Sequence, residues 1–175
     1  HATRGSSRDH ARRHLGPRPP EGRRRKRGAV AHALGRSRGG LGTKACLVCD
    51  RFGRALGFRL LPGQAHELRA AEALLAVAVS LGAVVRVVCD RAYSSASWRE
   101  AIAAVGAEPV VPSQPTHPTV VHDRAAYRRR HHVEQAWGRL KEWRAVATRY
   151  EKTADSYVGV LHVAAALDWI KHGKT

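Results

Sequence analysis

The sequence predicts a mixed α/β fold: an antiparallel hairpin followed by parallel β-α-β units, with helices flanking the sheet. Three observations predict it. Two short apolar-rich runs, "TKACLVCD" and "ALGFRLLPG", are joined by a link of about four residues containing Gly53, the pattern of a β-hairpin. Beyond them, runs of strand character alternate with runs of helical period, and parallel neighbours need such crossovers. Finally, 175 residues with 43% hydrophobic content suffice for one domain with a real core and are short for two.

Residues 1–35 come first and read as a basic, flexible arm. Pro, Gly, Ser and Arg dominate them, and no apolar period survives. The run Arg23, Arg24, Arg25, Lys26, Arg27 either grips phosphates or is a solvated tail. After the hairpin, Leu68, Ala71, Leu74, Leu75, Ala78 and Val79 fall at helical spacing, with Gly82 as the stop. "AVVRVVCD" is a β-branched run suited to a strand covered on both faces. Ser97 and Glu100 form a capping-box pattern opening a helix that ends at Gly106, and "EPVVPS" gives a short strand. The proline-rich "VVPSQPTHPTV" connects to two long helices near 123–146 and 154–171. The last is too short and too polar to span a bilayer.

Lys and Arg outnumber Asp and Glu by 31 to 14, a formal charge of +17, which predicts a polyanionic partner, most simply nucleic acid. There is no secretory h-region, and three cysteines, an odd count, argue for a reducing, cytoplasmic setting over a disulfide framework. Cys46 and Cys49, with Cys89, invite zinc. Residues three apart in a strand point to opposite faces, however, and no fourth ligand has sensible spacing, so they read as buried strand cysteines. The chain starts at His1 and contains no Met, which reads as a fragment or a frame-shifted second half.

Two carboxylates stand out. Asp90 directly follows an apolar strand, where α/β sheets bind ligands, although an Asx turn explains the same position. Glu134 lies in the cationic stretch "YRRRHHVEQAWGRLK". On one continuous helix, Tyr127, Arg130, Glu134 and Lys141 share a stripe of about 60°, flanked by apolar Val133, Trp137 and Leu140. An ordinary surface ion-pair ladder accounts for that spacing too.

The pattern Tyr127-x2-Arg130-x3-Glu134-x6-Lys141 resembles the signature around the last carboxylate of bacterial insertion-sequence transposases of the DDE type. "GRSRGGLGTK", "LPGQAHE", "CDRAYSS" and "GRLKEWRAVATRYEKT" resemble the same family in the same order, closest to its fourth and fifth insertion-sequence groups, and cover the chain from about residue 33 onward. The resemblance implies an RNase H-like catalytic domain over 36–175, with Asp90 and Glu134 as its second and third carboxylates. They would hold two Mg²⁺ (or Mn²⁺) ions about 4 Å apart for phosphodiester cleavage and strand transfer. It further implies that Tyr127, Arg130 and Lys141 contact phosphates of the transposon end. Arg149 and Lys152 either reach phosphate or form surface salt bridges, His131 and His132 add DNA-facing charge, and His66 caps or packs.

The family's first carboxylate sits on a first strand upstream of a segment like "HATRGSS", so the resemblance implies that this strand and its Asp are missing. It places Asp50 in a turn between later strands. The expected protein is a transposase fragment that binds double-stranded DNA, at inverted repeats and target, as a homodimer and is inactive alone. The rivals are a non-catalytic basic DNA- or RNA-binding protein and a decayed remnant.

Overall fold

A computed structural model describes residues 2–6, 32–37, 40–116 and 118–172. The strands are β1 (Ala2–Ser6), β2 (Gly35–Ser37), β3 (Gly40–Asp50), β4 (Ala55–Pro62), β5 (Arg86–Val88) and β6 (Glu108–Val110). The helices are α1 (Leu68–Ser80), α2 (Ala96–Ala104), α3 (Arg124–Arg128), α4 (His131–Lys141), α5 (Arg144–Thr148) and α6 (Ala154–His172). The sheet order is β2-β3-β1-β5-β6, with β4 also paired to β3. β3 runs antiparallel to both β1 and β4, while β1, β5 and β6 are mutually parallel. β2 is antiparallel to β3 as well, so five strands share one direction and β3 alone of the described strands runs against them.

The hairpin forms as its sequence predicts: Thr43 pairs with Pro62 and Leu47 with Phe58. Its turn needs Gly53, whose φ of 76° an L side chain rarely adopts. Period-2 alternation sends β3 side chains to two cores. Cys46 and Val48 pack with Ala70, Leu74 and Ala78 of α1. Leu47 and Cys49 pack with Phe58, Val133, Trp137, Leu140 and Leu161 beneath α4 and α6. Each large side chain buried this way contributes about 1.5–3 kcal/mol. The two cysteines of the CxxC thus lie on opposite faces, and all three cysteines are buried and outside any disulfide.

Several expectations are corrected. A first strand is present: β1 pairs with β3 through five residues and with β5 through two. "ATRGS" carries no apolar alternation, but strand pairing is made by backbone groups, which composition does not report. Residues 2–6 thus leave the expected arm, while 7–31, with the run Arg23 to Arg27, lie outside the described residues. β5 is only three residues long, and Val85 is exposed, as is Val79 on α1. The cap of α2 is Ser95, whose hydroxyl accepts the Trp98 N–H at 3.2 Å, two residues before the expected Ser97. The helix expected over 123–146 is three helices. At its first break the amides of Arg129, Arg130, His132 and Val133 bond three residues back rather than four. There His131 Nδ1 donates to the Arg128 carbonyl at 2.6 Å, so a side chain takes that acceptor.

Candidate active site

Asp90 sits at the carboxyl edge because β5 is pinned by its apolar residues: Val87 and Val88 are buried on opposite faces. Its Oδ1 accepts the Ala92 N–H at 2.8 Å and caps a short 3₁₀ turn over Arg91–Tyr93. Tyr93 anchors that turn in the core. Burial above all, then the nearby Cys46, Glu67, Cys89 and Asp90, pushes its phenol far above the ordinary range, so it stays protonated. The Asx turn is therefore real, and it holds a half-exposed carboxylate at the end of a buried parallel strand.

Glu134 stands in the first turn of α4. Val133, Ala136, Trp137 and Leu140 face inward, which leaves the Glu134 side chain 58% exposed. Its Oε1 lies 2.7 Å from Arg130 Nη2, an exposed pair worth only a few tenths of a kcal/mol. α4 packs against β1 and β3, and β1 is the parallel neighbour of β5. The helix of Glu134 thus lies on the strand next to the one that carries Asp90.

The stripe drawn on one continuous helix is only partly kept. Arg130 and Glu134 remain together. Tyr127, on α3, is half-buried against Val88, Val110 and Ala126, with its ring 5.5 Å from that of His122. It therefore buttresses the strand leading to Asp90. Lys141 ends α4 half-buried, and Lys152 is exposed beyond α5. Arg149 is corrected: it is 5% exposed, donates from Nη2 to the His32 carbonyl at 2.8 Å and stacks 5.2 Å from the Tyr157 ring centroid. A guanidinium so enclosed belongs to the fold's interior, not to a DNA-facing surface. His66 accepts the Leu68 N–H at 3.3 Å, the capping role expected of it.

Sequence reasoning missed Asp168. It is 6% exposed and takes Arg139 Nε at 2.8 Å and Nη2 at 3.1 Å, while Nη2 also donates to the Gly53 carbonyl at 2.7 Å. This link ties α4, α6 and the hairpin turn together. Its signal was available, since Asp168 falls at helical spacing from Leu161, Ala164 and Ala165 on the buried face of α6.

Residues 87–171 match a family model described as a transposase DDE domain. A protein of Brucella ovis, named as a transposase for an insertion sequence element, is 32% identical over 133 residues. That alignment covers 74% of this chain and 98% of the relative. The chain belongs to the bacterial insertion-sequence DDE transposase family. A chain from the cryo-electron microscopy structure of the simian T-cell lymphotropic virus intasome in complex with PP2A regulatory subunit B56 gamma superposes with a TM-score of 0.46 at 17% identity. The match covers 79% of this chain and 45% of that one, so this chain spans less than half of that chain's length.

Transposases act on DNA, which gives the +17 charge a partner. Among the described residues, no helix is long and apolar enough to cross a membrane. A DDE transposase domain goes with a divalent metal, and the oxygens of Asp90 and Glu134 are the hard donors that Mg²⁺ takes. Among the described residues no three of His, Cys, Asp and Glu come together as a metal site, and β1, "ATRGS", contains no carboxylate.

Proposed function

We propose that this chain is the DNA-processing domain of an insertion-sequence transposase, with an RNase H-like sheet, in which Asp90 and Glu134 are two of the three carboxylates of a Mg²⁺ or Mn²⁺ site. The observation that carries this reading is positional. Asp90 lies two residues beyond the carboxyl end of β5, and Glu134 rides on a helix laid across the adjacent strand β1. Arg130, Lys141 and Lys152 hold phosphates of the element's inverted-repeat ends, and Tyr127 positions the edge they approach. In the cell this is a cytoplasmic, nucleoid-associated protein whose protomers pair two DNA ends.

With no carboxylate on β1, the chain by itself binds DNA and does not cut it. The test is a pair of assays on one preparation: retention of a double-stranded inverted-repeat fragment in a gel, and nicking of supercoiled plasmid with Mg²⁺ or Mn²⁺. Binding without nicking is expected. Robust nicking abolished by chelator would overturn the inactivity, and failure to bind would overturn the DNA reading itself. Replacing Lys152 by Gln should also lower the slope of log affinity against log salt by about 0.9, one phosphate contact's share.

A further inference from the structure

The outer face of α6 departs from the rest of this cationic chain. Residues 153–170 contain no Lys or Arg, although the whole sequence carries 31 of them. The inner face of α6 is buried through Tyr157, Leu161, Ala164, Ala165 and Asp168. Its opposite face is apolar as well: Gly159, Val163, Ala166 and Ile170 are all exposed, Val163 by 61% and Ile170 by 75%. At about 100° per residue these four fall within about 60° of one another, spaced four, three and four apart as in a helix-pairing seam. A helix apolar on both faces normally has both covered, and exposed apolar stripes mark contact surfaces.

The order of sizes along the stripe names the occupant. Turned about a two-fold axis midway between residues 164 and 165, the helix meets its own copy antiparallel. Gly159 then opposes Ile170 of the second copy, and Val163 opposes Ala166. Every bulky side chain finds a small one, and the two-fold repeats the match at the other end. Electrostatics favours the same choice. Two chains of charge +17 repel each other over most of their surface, and this cation-free face is where that repulsion is weakest. A polyanion has no cation to meet on it. A helix of 19 residues, about 28 Å long, gives room for the whole stripe.

We propose that α6 is the homodimer surface of this protein, the two copies pairing antiparallel through Gly159, Val163, Ala166 and Ile170. This deepens the pairing of protomers proposed above by naming its surface. It is tested without DNA, so that its failure and the failure of the DNA reading are separable.

The experiment is sedimentation velocity of the intact chain over a concentration series, with circular dichroism as the check on folding. A concentration-dependent dimer is expected. The decisive variant is Gly159→Leu, because a β-carbon at that position meets nothing within 4 Å in the monomer, whereas a leucine there would strike Ile170 of the second copy. It should keep its helical signal and weaken dimerisation by about tenfold or more, whereas Gly159→Leu combined with Ile170→Ala exchanges large for small and should recover most of the loss. Val163→Glu should also give monomer. A chain that stays monomeric throughout the series overturns the proposal. So does a dimer indifferent to Gly159→Leu and Val163→Glu, since another surface would then hold it.

Discussion

The tetrapeptide Val-Cys-Asp-Arg occurs twice, at 48–51 and at 88–91, and the two copies end up in different roles. Both follow an apolar strand, and both aspartates bond the amide two residues on: Asp50 takes Phe52 N–H at 2.9 Å, Asp90 takes Ala92 N–H at 2.8 Å. What separates them is strand direction. β3 returns immediately as β4, so Asp50 closes a hairpin and is consumed by it, accepting also from Arg54 N and from Arg54 Nε at 2.6 Å. β5 continues into a crossover helix, so Asp90 is left at the carboxyl edge. Across the sheet Asp50 is level with Ala2 and Val87, which puts Asp90 three residues, about 10 Å, further along. Identical local chemistry becomes turn or candidate site according to topology.

The largest expected effect separates the two copies. In any form of the transposase that cuts DNA, Asp90→Asn should lower the rate by about a thousandfold or more, roughly 4 kcal/mol in the barrier, while inverted-repeat affinity changes little. Asp50→Asn should leave the rate nearly intact. Comparable rate losses from both would remove the distinction. The next effect runs the other way. Asp50→Ala strands the Arg54 guanidinium and two turn amides, so denaturant unfolding should show a loss of about 2 kcal/mol, whereas Asp90→Ala, which removes the cap on the Ala92 N–H, should cost about 1 kcal/mol.

How much of this contrast could be read in advance varies with the range of the interaction. Gly53, the apolar runs and the opposite facing of Cys46 and Cys49 are local, and they fixed the hairpin correctly. The positions of Asp90 after β5 and of Glu134 beside buried Trp137 were likewise legible from spacing. β1 was not, because it is recruited by backbone pairing to residues forty or more positions away. The burial of Arg149 depends on a carbonyl 117 positions earlier, so "ATRYEK" read as a surface. The break before α4 depends on His131 reaching back to the Arg128 carbonyl, a choice that helical periodicity does not contain.

Gly53→Ala sharpens the account of the Asp50 turn with a smaller change. The left-handed backbone costs an L residue about 1–2 kcal/mol, and here a β-carbon would also stand 3.0 Å from the His132 carbonyl oxygen. Thermal unfolding should therefore fall by several degrees. An unchanged midpoint would mean that the turn relaxes away from α4, and the contact between Gly53 and Arg139 would then bear little of the stability.

The smallest expected effect uses His132 as a reporter of the same contact. Its imidazole is held below the ordinary histidine range, first by partial burial, then by neighbouring His131 and by Arg129, against the opposing pull of a Gln135 hydrogen bond and of the Asp50 charge. Because the folded state takes up this proton less readily than the unfolded chain, its stability contribution is complete above about pH 6.5 and declines as pH falls toward the folded value. Denaturant midpoints measured between pH 5 and 8 should show that decline, and His132→Gln should flatten it. His131→Gln removes a like charge and should shrink it. Asp50→Asn removes the nearby negative charge and should enlarge it, provided that the hairpin turn stays docked beneath α4. If Asp50→Asn leaves the pH profile untouched while His131→Gln alters it, the turn and the first turn of α4 are electrostatically independent. The Asp50 copy would then act on stability through its hairpin alone.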